Sequence, residues 1–289
     1  MIQRIKLSGR NESGLDPSAG SVFFIGTATV LIRLGGYTVL TDPNFLHQGD
    51  HAHLGYGMFS KRLTEPALDI QELPPFDLVV LSQYHGHHFD RIVQRELDRG
   101  VPIVTTPHAA VRLRRAGFRA TCALGPWDSV EVRRVGTDPL RITATPAQHG
   151  PNGVSWLLPP VMGSVLEFGA GAPFKVFISG DTVIHDEFHD IANRVPDIDL
   201  ALLHLGGTRI LGVPVTMDAG QGVEAVRILD AETAIPIHYD DYTAFKSPLD
   251  DFQAAIRLMG LEHKVRYLRH GETFPFRVPT ARARRPAAS

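Results

Sequence analysis

The chain has 289 residues, 43% of them hydrophobic, enough for one large domain or two small ones with a sizeable core. A formal net charge of −2 gives no general electrostatic case for nucleic acid or an anionic membrane. The single cysteine, Cys122, excludes an intramolecular disulfide, so any metal site must draw on His, Asp, Glu or amide oxygens.

Residues 1–20 are polar and turn-rich and read as a peripheral lead-in. Val22-Phe23-Phe24-Ile25 and Thr29-Val30-Leu31-Ile32 are strand-like, Gly35-Gly36 is a hairpin turn, and Tyr37 to Thr41 is the return strand. Residues 43–76 are long and irregular, with His47, His51 and His53 expected at the surface. Asp77 to Leu81 reads as a buried strand, and Asp90 caps a helix from Arg91 to Leu97. A strand at 101–104 and a helix from Pro107 to Arg115 follow. Further strands are expected at 129–132, 140–145, 154–157, 164–168 and 174–179. Next come a strand at 198–204, a helix from Asp218 to Leu229 capped by Thr216, and a strand at 233–238. A helix from Pro248 to Met259 and a last strand at 265–268 complete a single domain over 21–275. The basic, Ala/Pro-rich tail at 276–289 is expected to be disordered. Cys122 reads as a small buried apolar residue, and His185 and His189 as a solvated helix face. The start of the chain lacks the apolar segment of a signal peptide, and no stretch reaches the roughly 18 apolar residues of a spanning helix. The expectation is a cytoplasmic protein with no integral membrane segment, no nucleic-acid partner and a small-molecule substrate, with a homo-oligomer left open.

The segment Leu81-Ser82-Gln83-Tyr84-His85-Gly86-His87-His88-Phe89-Asp90 organises the chain. Imidazole is the commonest metal ligand type, and Gly86 permits a tight turn among three histidines. Three other strands also end in ligand-type residues: His149 after 140–145, Asp181 after 174–179 and His238 after 233–237. Strand ends at one edge of a sheet are where α/β proteins gather function. Their recurrence points to a metal site.

The order of these residues resembles the metallo-β-lactamase-fold hydrolases, and within them the lactonase and N-acylphosphatidylethanolamine phospholipase D-like branch. The resemblance runs from about Phe23 to Phe274. It rests on Phe24-Ile25-Gly26-Thr27-Ala28-Thr29, Leu40-Thr41-Asp42-Pro43, Gln148-His149-Gly150, Ser179-Gly180-Asp181-Thr182 and Ile235-Pro236-Ile237-His238. It implies an α/β fold, a four-layer αβ/βα sandwich of two mixed sheets flanked by helices. The family motif is His-x-His-x-Asp-His; here Gln83 stands for the first His and His87 for the Asp, while His85 and His88 keep their places. Thr27 stands where the branch usually has His.

The resemblance implies one ion held by Gln83, His85 and His149, a second by His87, His88 and His238, and Asp181 bridging them. Zinc is the implied ion, one or two, with manganese or iron as substitutes. Gln83 is alternatively an amide that holds a ligand or a water, and Asp42 is expected to hydrogen-bond a ligand histidine. The implied chemistry is attack by metal-bound hydroxide on an ester, lactone or phosphodiester. Asp181, as the bridge between the ions, His87, as a ligand or general acid/base, and His204 are the catalytic candidates; His204, or the second ion, stabilises the oxyanion. The altered motif also fits a degenerate member that binds without hydrolysing, and an iron-dependent redox protein is a third reading.

Overall fold

The computed structural model describes residues 3–9, 16–55, 57–151, 158–210 and 212–278. Two seven-stranded mixed sheets form its centre. In spatial order the first contains Thr273–Arg277, Ala19–Gly26, Thr29–Leu34, Tyr37–Thr41, Leu78–Leu81, Ile103–Thr105 and Thr121–Ala123. The second contains Gln3–Lys6, Ser129–Arg133, Leu140–Thr145, Gly163–Phe168, Phe174–Ile178, Leu200–His204 and Thr233–Ile237. In each sheet a run of antiparallel pairs gives way to parallel ones, at Tyr37–Thr41 in the first and at Phe174–Ile178 in the second.

Strand side chains alternate between faces, and this alternation builds the layers. Leu78 and Val80 face the second sheet, joining Ile142, Leu166, Val176, Leu202 and Ile235 in the core between the sheets. Val79 and Leu81 face outward and pack with Val93, Ala109 and Leu113 of the helices Arg91–Glu96 and Pro107–Arg115. On the far side Phe177, Ala201 and Leu203 pack with Phe188, Val226 and Phe252 of the helices Asp186–Arg194, Ala219–Leu229 and Leu249–Leu258. The result is the four-layer αβ/βα arrangement implied by the motifs.

Several elements depart from the sequence reading. Gln3–Lys6, inside the polar lead-in, forms an edge strand parallel to Ser129–Arg133. The segment 43–76 holds a hairpin, His51–Gly55 with Met58–Lys61. Asp218, not Thr216, caps the helix Ala219–Leu229; the Thr216 hydroxyl instead accepts the Thr208 N–H at 2.8 Å. The strand expected at 265–268 reduces to one bridge between Val265 and Ala234. Thr273–Arg277 is the last strand, running past the expected boundary at 275 because Phe276 stacks on Phe174 at 4.7 Å. The strand expected at 154–157 lies outside the described residues, as do residues 279–289 of the tail.

Candidate metal centre

The parallel strands of both sheets deliver their C-terminal ends to one place, where open α/β sheets bind ligands. Tyr37–Thr41 is followed by Asp42, Leu78–Leu81 by the loop 82–90, and Phe174–Ile178 by Asp181. Leu200–His204 ends in His204, and Thr233–Ile237 is followed by His238. Asp42 and His238 have φ of 34° and 62°, unusual for non-glycine residues and concentrated at functional sites. The His238 N–H donates to the Thr27 carbonyl at 2.6 Å, which ties this turn to the first sheet.

Asp181 is the hub. Its Oδ2 lies 2.9 Å from His88 Nε2 and accepts the Gln83 amide N–H at 2.8 Å. Its Oδ1 lies 3.3 Å from His204 Nδ1 and 3.5 Å from His238 Nδ1. All five side chains are buried. Asp42 stands behind this group, 3.6 Å from His88 Nδ1 and 3.9 Å from His204 Nε2. Asp42 Oδ1 also accepts the Ser82 N–H at 2.7 Å and the Ser82 hydroxyl at 2.9 Å. Ligand atoms of His88, Asp181 and His238 lie within 4.8 Å of one another, as do those of Asp42, His88 and His204.

His85, His87 and His149 form an outer ring. The His85 ring centroid is 6.2 Å from that of His88 and 6.5 Å from that of His149, and its Nε2 lies 3.2 Å from the Leu54 carbonyl. His87 sits in an aromatic slot, 4.2 Å from Tyr242 and 5.3 Å from Phe245, with its ring 6.1 Å from His238. Gly86 makes this packing possible, but not through its backbone angles: a Cβ there would lie 2.5 Å from the His53 carbonyl oxygen. Thr27 receives a hydrogen bond from fully buried Arg62, which also donates to Asn44 at 2.7 Å and lies 4.0 Å from Asp241. No sequence pattern announced Arg62 or its pairing with Asp241, because the pairing is made only by the fold.

Around the cluster, Gln83 Oε1, His85 Nδ1, His87 Nε2, His149 Nδ1, His204 Nε2 and His238 Nε2 are buried without a hydrogen-bond partner. Each orphaned buried polar atom costs about 1–3 kcal/mol. So many at one place, beside two carboxylates, fit a divalent cation bound by nitrogen and oxygen. The electrostatics agree. Burial holds the His85 pKa down to about 3 and that of His238 to about 4, and it lowers those of His87 and His149. These rings are therefore neutral, the state that ligates. For His88 burial opposes charge, yet Asp181 and Asp42 outweigh it and raise the pKa to about 10. Burial likewise opposes ionisation of Asp181, but the surrounding histidines hold it well below the usual carboxylate range.

A cavity of about 480 Å³ opens against His85 rather than against Asp181. The Leu54 hairpin, Tyr84, Phe89, Gln94 and Arg112 line it, and His51 and His53 lie exposed at its wall. Arg112 stacks over the Tyr84 ring at 5.1 Å.

Comparisons with known proteins bear on the fold and the family. The chain is 23% identical over 257 residues to a "UPF0173 metal-dependent hydrolase" of Rubrobacter xylanophilus, covering 87% of this chain and 94% of that one. An isothiocyanate hydrolase from Delia radicum gut bacteria superposes with a TM-score of 0.76 at 20% identity, over 89% of this chain and 100% of that one. A possible metal-dependent hydrolase from Veillonella parvula gives 0.74 at 19% identity, over 89% and 99%. Residues 37–239 match the family described as "Beta-lactamase superfamily domain", and the chain belongs to that family.

Proposed function

We propose that the protein is a metal-dependent hydrolase of a small-molecule ester, lactone or phosphodiester, in the lactonase and N-acylphosphatidylethanolamine phospholipase D-like branch. The observation that carries this reading is the convergence of Asp181 with His88, His204 and His238 at the strand ends, with buried imidazole nitrogens left without hydrogen-bond partners around them. His88, His238 and Asp181 would hold one cation, with zinc the ion their nitrogen and oxygen atoms suit best. His85 and His149, with Gln83 Oε1, are the donors for a second. When bound, such a cation lowers the pKa of a coordinated water toward about 7 and polarises a carbonyl or phosphoryl oxygen.

The side chains supply the rest. Asp181 orients the site through both oxygens. His87 offers an unpartnered Nε2, kept neutral by burial, that would accept a hydrogen bond from the attacking water and orient it. Tyr242 and Phe245 pack around its ring and exclude bulk water there. The cavity beside His85 receives the substrate, with Tyr84 and Phe89 as apolar wall and Arg112 at the rim.

Gln83 favours one alternative, binding without hydrolysis, because its amide N–H takes up Asp181 Oδ2 where the family motif has an imidazole. The test is metal content of protein purified without added metal, followed by lactone, ester and phosphodiester assays with and without chelator. Chelator-sensitive turnover of at least one class is expected. Protein inert to all three after reconstitution with zinc, manganese or iron would overturn the hydrolase and leave the binding alternative.

A further inference from the structure

We propose that the substrate carries a carboxylate apart from the bond that is broken, set on an apolar body, and that Arg112 is the residue that binds this carboxylate. This rests on the cavity beside His85 being the one that receives the substrate, and it narrows the substrate class to esters or lactones that also bear an acid.

Three side chains with a charge fixed at neutral pH line that cavity: Asp90, Arg91 and Arg112. Two are already engaged. Asp90 Oδ1 accepts the N–H groups of Ile92 and Val93 at 2.7 and 2.9 Å, and its Oδ2 accepts those of Phe45 and Leu46. Arg91 Nη2 donates to Asp50 Oδ1 at 2.6 Å. Arg112 makes no ion pair and no side-chain hydrogen bond among the described residues; its guanidinium lies over the Tyr84 ring, 5.1 Å from the centroid. A guanidinium held over an aromatic face keeps its N–H donors in its own plane, where a carboxylate accepts two of them side by side. The number of charges decides between anions. Phosphate usually draws on several cations or backbone N–H groups. One uncompensated cation suits the single charge of a carboxylate.

The rest of the wall sets the body of the ligand. Leu46, Leu54, Phe59, Tyr84 and Phe89 give it an apolar surface. Phe59 is 63% exposed, an aromatic face that an apolar ligand would cover. A pocket that is mostly apolar, with few polar groups, binds through its walls and orients through those groups. His85 belongs to the same wall and stands next to His88 and His149, so a ligand lying along it links Arg112 to the candidate metal centre.

The test uses a matched pair, 4-phenylbutyrate and its neutral amide. Each is titrated into the full-length protein as purified, into Arg112→Gln and into Arg112→Lys. Backbone amide shifts of Leu54 and Tyr84 report the place of binding and the Kd. Wild type is expected to bind the acid about tenfold more tightly than the amide, the lower end for a hydrogen bond to a charged group, because Arg112 is exposed. That ratio is expected to fall to about one in Arg112→Gln. Arg112→Lys should keep part of it, since lysine retains the charge without the fork. A ratio near one in wild type would overturn the proposal. So would a ratio unchanged in Arg112→Gln, which would mean that the carboxylate is held elsewhere, and so would failure of both ligands to shift Leu54 and Tyr84. Each of these outcomes leaves the hydrolase reading to its own test, chelator-sensitive turnover. The wild-type ratio needs no substitution, so a variant that fails to fold does not remove the test.

Discussion

Burial works against a charge on His88, yet Asp181 and Asp42 raise its pKa to about 10. In the metal-free protein His88 therefore carries a proton near neutral pH, and that charge offsets the two carboxylates. A cation at the same place must displace it, because only the deprotonated nitrogen ligates. Zn²⁺ binding at pH 7 is thus expected to release about one proton from this residue, and affinity should rise as pH rises. Calorimetry in buffers of different ionisation enthalpy reads this number directly; a value near zero would mean that His88 is not the displaced acid. Asp241 gives a second test. Burial alone would raise its pKa, but its contact with His270 and the Arg62 charge outweigh burial and hold it below the ordinary carboxylate value of 3.8. A depressed carboxylate adds stability that is complete above the unfolded pKa and is lost as pH falls through the folded one. Acidification below about pH 4 is expected to erode stability more steeply in wild type than in Asp241→Asn, as measured by urea midpoints across pH.

At the level of elements, the loop 82–90 depends on a neighbour that periodicity does not reveal. The hairpin His51–Gly55 packs its backbone against Gly86, leaving no space for a Cβ. Gly86→Ala is expected to cost about 1–3 kcal/mol by overpacking, visible in denaturant unfolding. It should also raise KM, because the same hairpin lines the cavity beside His85.

The contrast shows what a sequence makes legible. Strands such as Leu78–Leu81 and Leu200–His204 announce themselves, because burial on both faces requires continuous apolar runs. The polar residues after two further strands of this kind, Asp181 after Phe174–Ile178 and His238 after Thr233–Ile237, were readable for the same reason. The edge strand Thr273–Arg277 was not, since Pro275 and exposed alternate positions blur its pattern. The partnership of His204 with Asp42 was hidden as well. It joins two sheets, and no local spacing encodes a contact across 162 positions, the difference between residues 204 and 42.

Across the whole molecule, the two sheets meet at the centre from opposite sides. Asp42, Gln83 and His88 come from strand ends of the first, and Asp181, His204 and His238 from those of the second. Binding to the native state alone stabilises it by about 2.7 kcal/mol at a hundredfold excess over Kd. Chelation is therefore expected to lower Tm measurably and Zn²⁺ to restore it, with a calorimetric scan as the readout. An unchanged Tm would argue against a cation bound only by the folded protein.

One further consequence follows from where Asp181 sits. Its contact with His88 joins residues 93 positions apart, on opposite halves of a chain that has a single cysteine and so no disulfide to close such a loop. A cation held there acts as a reversible cross-link between the halves. Metal supply would then govern how long the protein survives proteolysis as well as whether it is active.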